Sequence, residues 1–138
     1  MEASEGVRIS KQFDPDLPEV PIDAEQIQRV FANLAINANE AMAEGGELTV
    51  TTRRKGDFAE VVFQDTGEGI SEEALKNIFE PLYTTKIKGT GLGLAVCQQV
   101  IAKHGGTINV SSRKGEGTTF AVKLPLLGNA AKRSEALT

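Results

Sequence analysis

Between residues 24 and 43 the apolar side chains Ile27, Val30, Phe31, Leu34, Ala38, Ala41 and Met42 recur at spacings of three and four. That period lays one apolar stripe along a helix. Asp23 stands at the N-cap position, Gln26 completes a capping-box spacing, and Gly45-Gly46 supplies the stop. The pattern predicts a long helix over about Ala24–Ala43. Elsewhere the period is two. Residues 7–12 (VRISKQ), 47–54 (ELTVTTRR), 58–64 (FAEVVFQ), 107–112 (TINVSS) and 118–124 (TTFAVKL) read as strands. Lys55-Gly56-Asp57 and the segment RKGEG form the turns within the two later pairs, whereas FDPDLPEVP, with three prolines, is a loop. Ser71 caps a short helix with Glu72 and Glu73 in its first turn, ending near Phe79 because Pro81 follows. Residues 80–93 (EPLYTTKIKGTGLG) have no clean period and read mostly as loop. A last helix runs from about Leu92 to His104, with Leu94, Cys97, Val100 and Ile101 on one face, until Gly105-Gly106 stops it. The order predicts an α+β fold, a two-layer sandwich with a mixed, mostly antiparallel sheet packed on three helices.

A chain of 138 residues suits one domain with a sizeable core. The polar or small ends, residues 1–6 and 127–138, are expected to be mobile, which leaves 7–126 as the domain. The lone Cys97 excludes an internal disulfide and suits a reducing compartment. No apolar run approaches the roughly 20 residues that span a bilayer, and the N-terminus lacks the pattern of a secretory signal. A cytoplasmic setting without membrane contact by this domain is therefore expected. Acids outnumber bases by 19 to 15 overall, yet residues 48–138 carry a net charge of +3 and residues 1–47 a net charge of −7. No Lys/Arg cluster is dense enough for a nucleic-acid face. An anionic ligand would need a local site, better placed in the second half.

Three groups of residues have the composition for such a site, and each has an ordinary alternative. Asn33, Asn37 and Glu40 share a stripe on the long helix, beside the core. They suit either a solvated polar edge or an edge for phosphate and a hard cation, since Mg²⁺ accepts one or two protein oxygens beside phosphate. Asp65-Thr66-Gly67-Glu68-Gly69-Ile70 follows a strand. It suits either a tight turn or a close backbone approach to a ligand, with the carboxylate accepting from an amine. Lys86 to Gly93 (KIKGTGLG) opens a helix, so its free N–H groups and lysines suit either an anion or a flexible hinge. It is neither a dinucleotide fingerprint nor a Walker A loop.

Taken in order, N-L-x-x-N-A-x-E-A from Asn33, D-x-G-x-G from Asp65, F-E-P-L-Y-T-T-K from Phe79 and G-T-G-L-G-L from Gly89 match an N box, G1 box, F box and G2 box. The closing G-T-T-F-A-V-K-L-P also fits. Over roughly residues 7–126 the chain resembles the ATP-binding catalytic domain of sensor histidine kinases. Their superfamily, of Bergerat-type fold, includes gyrase, heat-shock chaperone and mismatch-repair ATPases. The Glu40-Ala41-Met42 sequence is similar to the nitrogen-regulator and dicarboxylate-sensor type.

The resemblance implies ATP and Mg²⁺ as ligands. Asn37 would coordinate the metal, with Asn33 one turn earlier. Asp65 would accept from the adenine amino group, with Gly67 and Gly69 admitting the base, Ile70 against its face and Thr118 bonding it through water. Lys86, Gly89, Thr90, Gly91, Leu92 and Gly93 would hold the phosphates, and Tyr83 would lean on the nucleotide from a short lid at 80–90. No covalent or general-base residue is implied. ATPase branches and anti-sigma serine kinases carry a Glu where this chain has Asn33, and an amide cannot take a proton. The only histidine, His104, ends a helix and reads as a cap favoured by the helix dipole rather than a phosphoacceptor. The implied activity is transfer of the γ-phosphoryl group to a histidine on a separate dimerisation domain, and from there indirectly to a response regulator. Ala32 and Ile36 would belong to the docking face. The alternatives are a regulatory pseudokinase and a self-sufficient ATPase or serine kinase of the same fold. The isolated domain is expected to be a monomer.

Overall fold

The computed structural model describes residues 6–80 and 93–126. The elements in chain order are β1 (Val7–Gln12), α1 (Ala24–Ala41), β2 (Gly46–Lys55), β3 (Phe58–Asp65), α2 (Glu72–Leu75), α3 (Leu94–Lys103), β4 (Thr107–Arg113) and β5 (Gly117–Pro125). They form the expected two layers. The strands make one five-stranded sheet in the order β1-β2-β3-β5-β4. β1 runs parallel to β2, and every other pair is antiparallel.

Alternation along the strands decides which face is covered. Leu48, Val61, Phe63, Phe120, Val122, Leu124 and Ile108 are buried and meet Ile27, Val30, Leu34, Ala38, Cys97 and Ile101 of the two long helices. Burying a large aliphatic side chain contributes about 1.5–3 kcal/mol, so this layer contact carries the fold. Phe31 and Phe63 meet with ring centroids 5.5 Å apart at 51°, a tilted aromatic pair. The other sheet face is polar. Glu60 is nevertheless buried there, with Arg53 Nε at 2.6 Å and Lys55 Nζ at 3.8 Å. Two opposite charges make its burial tolerable.

Helix ends differ from the periodicity. α1 stops at Ala41 rather than Ala43, because its last carbonyl, Ala41 O, accepts from Glu68 N–H at 3.1 Å. Gly45 N–H then turns to Met42 O at 2.9 Å, with Gly45 at φ +99°. At the start of α1, Gln26 N–H donates to Asp23 Oδ1 at 3.2 Å, as expected of the cap. α2 is a single turn, capped by Ser71 Oγ, which accepts from Ala74 N–H at 3.1 Å. Beyond it Asn77 N–H and Glu80 N–H bond the carbonyls three residues back, so the chain proceeds to Phe79 in tight turns rather than as helix. α3 begins at Leu94, with Gly93 as N-cap.

His104 does more than cap α3. Its Nε2 accepts from Asp23 N–H at 3.0 Å, while Nδ1 lies 2.8 Å from Val100 O. An N–H can only donate and a carbonyl can only accept, so the ring takes the neutral Nδ1–H form. His104 thus stands at the C-cap as expected and also pins the end of α3 to the start of α1.

Gly6 is placed, its carbonyl accepting from Gly46 N–H at 3.1 Å. The rest of the expected mobile ends, residues 1–5 and 127–138, lies outside the described residues, as does the expected lid apart from Glu80.

Candidate functional site

A cavity of about 450 Å³ opens where the C-terminal half of α1, the end of β3, α2, the start of α3 and β5 converge. It has the size of a small-molecule site. Asn37, Glu40 and Ala41 line it from α1, and Glu68, Gly69, Ile70 and Ser71 from the loop after β3. Ala74, Ile78, Leu94 and Phe120 give it apolar walls. Asp65, Thr118 and Lys114 supply polar groups.

Asp65 is the chemical centre of this cavity. It ends β3, directly opposite Thr118 on β5, and both are only 5% exposed. Gly67 N–H and Thr118 N–H donate to the same carboxylate oxygen, Oδ1, at 2.9 and 3.2 Å. Among the described residues Oδ2 takes no recorded bond and is left for the cavity. Burial pushes the carboxyl pKa above its ordinary value, and the two backbone bonds oppose this only in part. The result is an acceptor fixed in direction and set among apolar walls, suited to an amine on a largely apolar ligand.

The glycines of the loop are explained by chain packing. A Cβ at Gly67 would lie 2.6 Å from Ala41 O. Gly69, at φ +74°, would drive a Cβ into the Arg113 carbonyl oxygen of the β4–β5 hairpin. Gly115 N–H donates to Glu68 O at 2.6 Å, and Ile70 N–H to Ser112 Oγ at 2.7 Å. These contacts clamp the loop between α1 and the hairpin. Gly69 and Ile70 line the cavity, whereas Gly67 forms its backing.

The helix stripe divides. Asn37 and Glu40 reach the cavity, but Asn33 does not line it. Asn33 is 3% exposed, and its Nδ2 donates to the fully buried Cys97 Sγ at 3.2 Å. Its Oδ1 has no partner among the described residues. Cys97 in turn has its thiol pKa raised by burial, with the Asn33 bond opposing. No group of three or more His, Cys, Asp or Glu side chains among the described residues is arranged to hold a metal. The amide oxygen of Asn37 and the carboxylate of Glu40, one helical turn apart at the cavity, are nonetheless hard donors. They fit a Mg²⁺ that takes most of its ligands from phosphate and water.

α3 begins with Gly93, which offers no side-chain cap. Leu94, its first residue, lines the cavity. Val96 N–H bonds Gly93 O at 3.1 Å, so among the described residues it is the Leu94 and Ala95 N–H groups of the first turn that remain for an anion. Tyr83, Lys86, Gly89, Thr90, Gly91 and Leu92 lie outside the described residues.

Sequence reasoning missed Lys114, Ser71, Ala74, Ile78, Leu94 and Phe120. Phe120 could have been found from the alternation of β5, and Ala74 and Ile78 from the apolar side of the short helix. Nothing local marks Lys114, which reaches the cavity only because the hairpin folds over the loop.

The profile described as "Histidine kinase-, DNA gyrase B-, and HSP90-like ATPase" matches residues 22–128. Sensor histidine kinase ZraS of Escherichia coli (strain K12) is 42% identical over 110 residues, which are 80% of this chain and 24% of ZraS. The chain thus spans about a quarter of the length of that curated relative. Among solved structures, the nucleotide-free catalytic domain of histidine kinase ThkA superposes with a TM-score of 0.77 at 34% identity, covering 87% of this chain and 79% of that one. Full-length ShkA, solved in complex with AMPPNP, superposes with a TM-score of 0.76 at 29% identity, covering 87% of this chain and 26% of that one.

Proposed function

The chain belongs to the histidine kinase-, DNA gyrase B- and HSP90-like ATPase family, and from that premise we propose that it binds Mg-ATP and donates the γ-phosphoryl group to a histidine on a separate helical domain of a sensor kinase. The observation that carries this reading is Asp65. A buried carboxylate, held by two backbone N–H groups and facing an apolar cavity, is suited to the adenine amino group. Ile70 packs on the base and Thr118 stands beside it. Asn37 would hold Mg²⁺, with Glu40 about one helical turn further along α1. The metal, when bound, neutralises phosphate charge. The first turn of α3 faces the phosphates, joined by Lys86, Thr90 and the N–H groups of 89–93, while Tyr83 leans on the nucleotide. Phosphoryl transfer then needs positioning more than acid–base help. The acceptor imidazole nitrogen forms a bond to γ-phosphorus as the bond to the ADP oxygen breaks.

Asn33 supports transfer over hydrolysis. It occupies the position of the ATPase glutamate, and its amide is bonded to Cys97 within the core. It has no proton-accepting role. The partner domain supplies the nucleophile and docks on a face that includes the exposed Ala32 and half-buried Ile36.

The test adds ATP labelled in the γ-phosphate to the chain, alone and with the parent kinase's histidine-bearing domain supplied separately. Label is expected on the partner domain only when the chain and Mg²⁺ are both present, with negligible phosphate release by the chain alone. Steady release of phosphate by the chain alone would support the ATPase reading. Binding of ATP without transfer to the partner would support a regulatory module.

A further inference from the structure

Ser112 of β4 does not line the cavity, yet it is bonded to the pieces that do. Ile70 N–H donates to its Oγ at 2.7 Å, and the same Oγ lies 2.8 Å from Gly117 O and 2.8 Å from Thr118 Oγ1. A serine hydroxyl has one proton and two lone pairs. Ile70 occupies one lone pair. Gly117 O can only accept, so it takes the serine proton. The contact with Thr118 is then a bond only if Thr118 donates to the remaining lone pair. The opposite arrangement, Ser112 donating to Thr118, would leave two lone pairs facing each other at Gly117 O. Satisfying all three contacts therefore commits the Thr118 proton to Ser112. Thr118 Oγ1 then keeps only lone pairs, and no proton, for a ligand in the cavity that Thr118 lines.

Asp65 stands directly opposite on β3, and its carboxylate also only accepts. Asp65 and Thr118 thus present two neighbouring acceptors, paired across β3 and β5. An amino group placed there is received from both sides. An oxo group placed there meets lone pairs on both sides, and a buried acceptor without a donor is costly. We propose that Ser112 is a positioning residue for base selectivity: by holding the Thr118 hydroxyl as an acceptor, it makes the Asp65–Thr118 edge accept 6-amino purines and reject 6-oxo purines. The proposal rests on the nucleotide-binding reading above, and it adds the residue that fixes the polarity of the edge.

The test is displacement of the fluorescent probe trinitrophenyl-ATP from this chain by ATP and, separately, by GTP. Wild type is expected to prefer ATP. In Ser112→Ala, Thr118 is free to rotate and donate to a 6-oxo group, so the ATP:GTP affinity ratio falls about tenfold, the factor equivalent to one hydrogen bond. Ser112→Thr, which keeps the hydroxyl, restores the ratio. Thr118→Val keeps the branched shape without the hydroxyl and lowers the ratio by itself. In that background Ser112→Ala leaves the ratio unchanged, since Ser112 acts only through Thr118. A purely structural serine would instead weaken ATP and GTP equally in Ser112→Ala, and an unchanged ratio there overturns the proposal. Should Ser112→Ala fail to show a folded melting transition, the Thr118→Val result decides: an unchanged ratio overturns the proposal and a lowered one supports it. A wild type that binds both nucleotides equally well overturns the role of Ser112 while nucleotide binding stands. A wild type from which neither nucleotide displaces the probe overturns both.

Discussion

Replacing Asp65 by Asn separates what the carboxylate does for the fold from what it does for the ligand. An Asn side chain in the same rotamer keeps a carbonyl oxygen at Oδ1, with lone pairs for both Gly67 N–H and Thr118 N–H. Its amide NH₂ then takes the place of Oδ2, facing the cavity. The fold loses a buried charge whose desolvation outweighs its two backbone bonds, as the raised pKa shows. The sign follows from proton counting. Native Asp65 keeps its proton to higher pH than the unfolded chain does, so between 3.8 and the raised native value the native state binds more protons. Stability from this group is fullest below 3.8 and declines as pH rises through that window. Asp65→Asn lacks the decline, so it is expected to equal or exceed wild type in urea melts at pH 7 and to lose that advantage on acidification. Nucleotide binding moves the other way. A hydrogen bond to a charged acceptor contributes about 1.5–3 kcal/mol, so the Kd for ATP rises by about 10- to 150-fold. Calorimetric titration of both proteins, beside the melts, measures the two effects on one sample. A variant much less stable than wild type at pH 7, or one that binds ATP with unchanged Kd, would refute the reasoning.

Gly69→Ala is expected to destabilise by about 3 kcal/mol or more in urea melts, because the left-handed backbone and the contact with Arg113 O act together. A loss below 1 kcal/mol would mean that the loop is not clamped as described. His104→Ala removes the acceptor for Asp23 N–H, at a cost of about 1 kcal/mol, read as a lower urea midpoint with unchanged slope. Cys97, fully buried and with a raised thiol pKa, should react with Ellman's reagent about a hundredfold more slowly in the folded chain than in urea. Rapid reaction in buffer would show that the contact between α1 and α3 opens readily.

Period and punctuation were enough to read the layers. A three-to-four spacing bounded by Asp23 and Gly45 marks α1, and five alternating runs mark the sheet. Both follow from where one face of a regular element meets the core, and that requirement is written locally in the side chains. The motifs were legible for the same reason: Asp65 at a strand end, glycines in the turn after it, and Asn37 on the polar edge of a helix are each a local arrangement. The family likeness was carried by their order along the chain.

What the chain could not state locally is which partner each group chooses across the fold. Asn33 and Asn37 are one helical turn apart and chemically identical, yet one turns to Cys97, 64 residues away, and the other to the cavity. The ending of α1 depends on Glu68 reaching Ala41 O, and the glycines of the loop answer to Ala41 and Arg113. Lys114 enters the site, and Ser112 bonds residues that line it, only through the hairpin. The sequence by itself determined the elements, the sheet's polarity pattern and the family likeness. Tertiary structure alone decided helix ends, hydroxyl orientations and which polar atoms face the cavity. The physical reason is that burial patterns repeat along a chain, whereas a hydrogen bond is settled by whichever donor and acceptor the packing brings within about 3 Å.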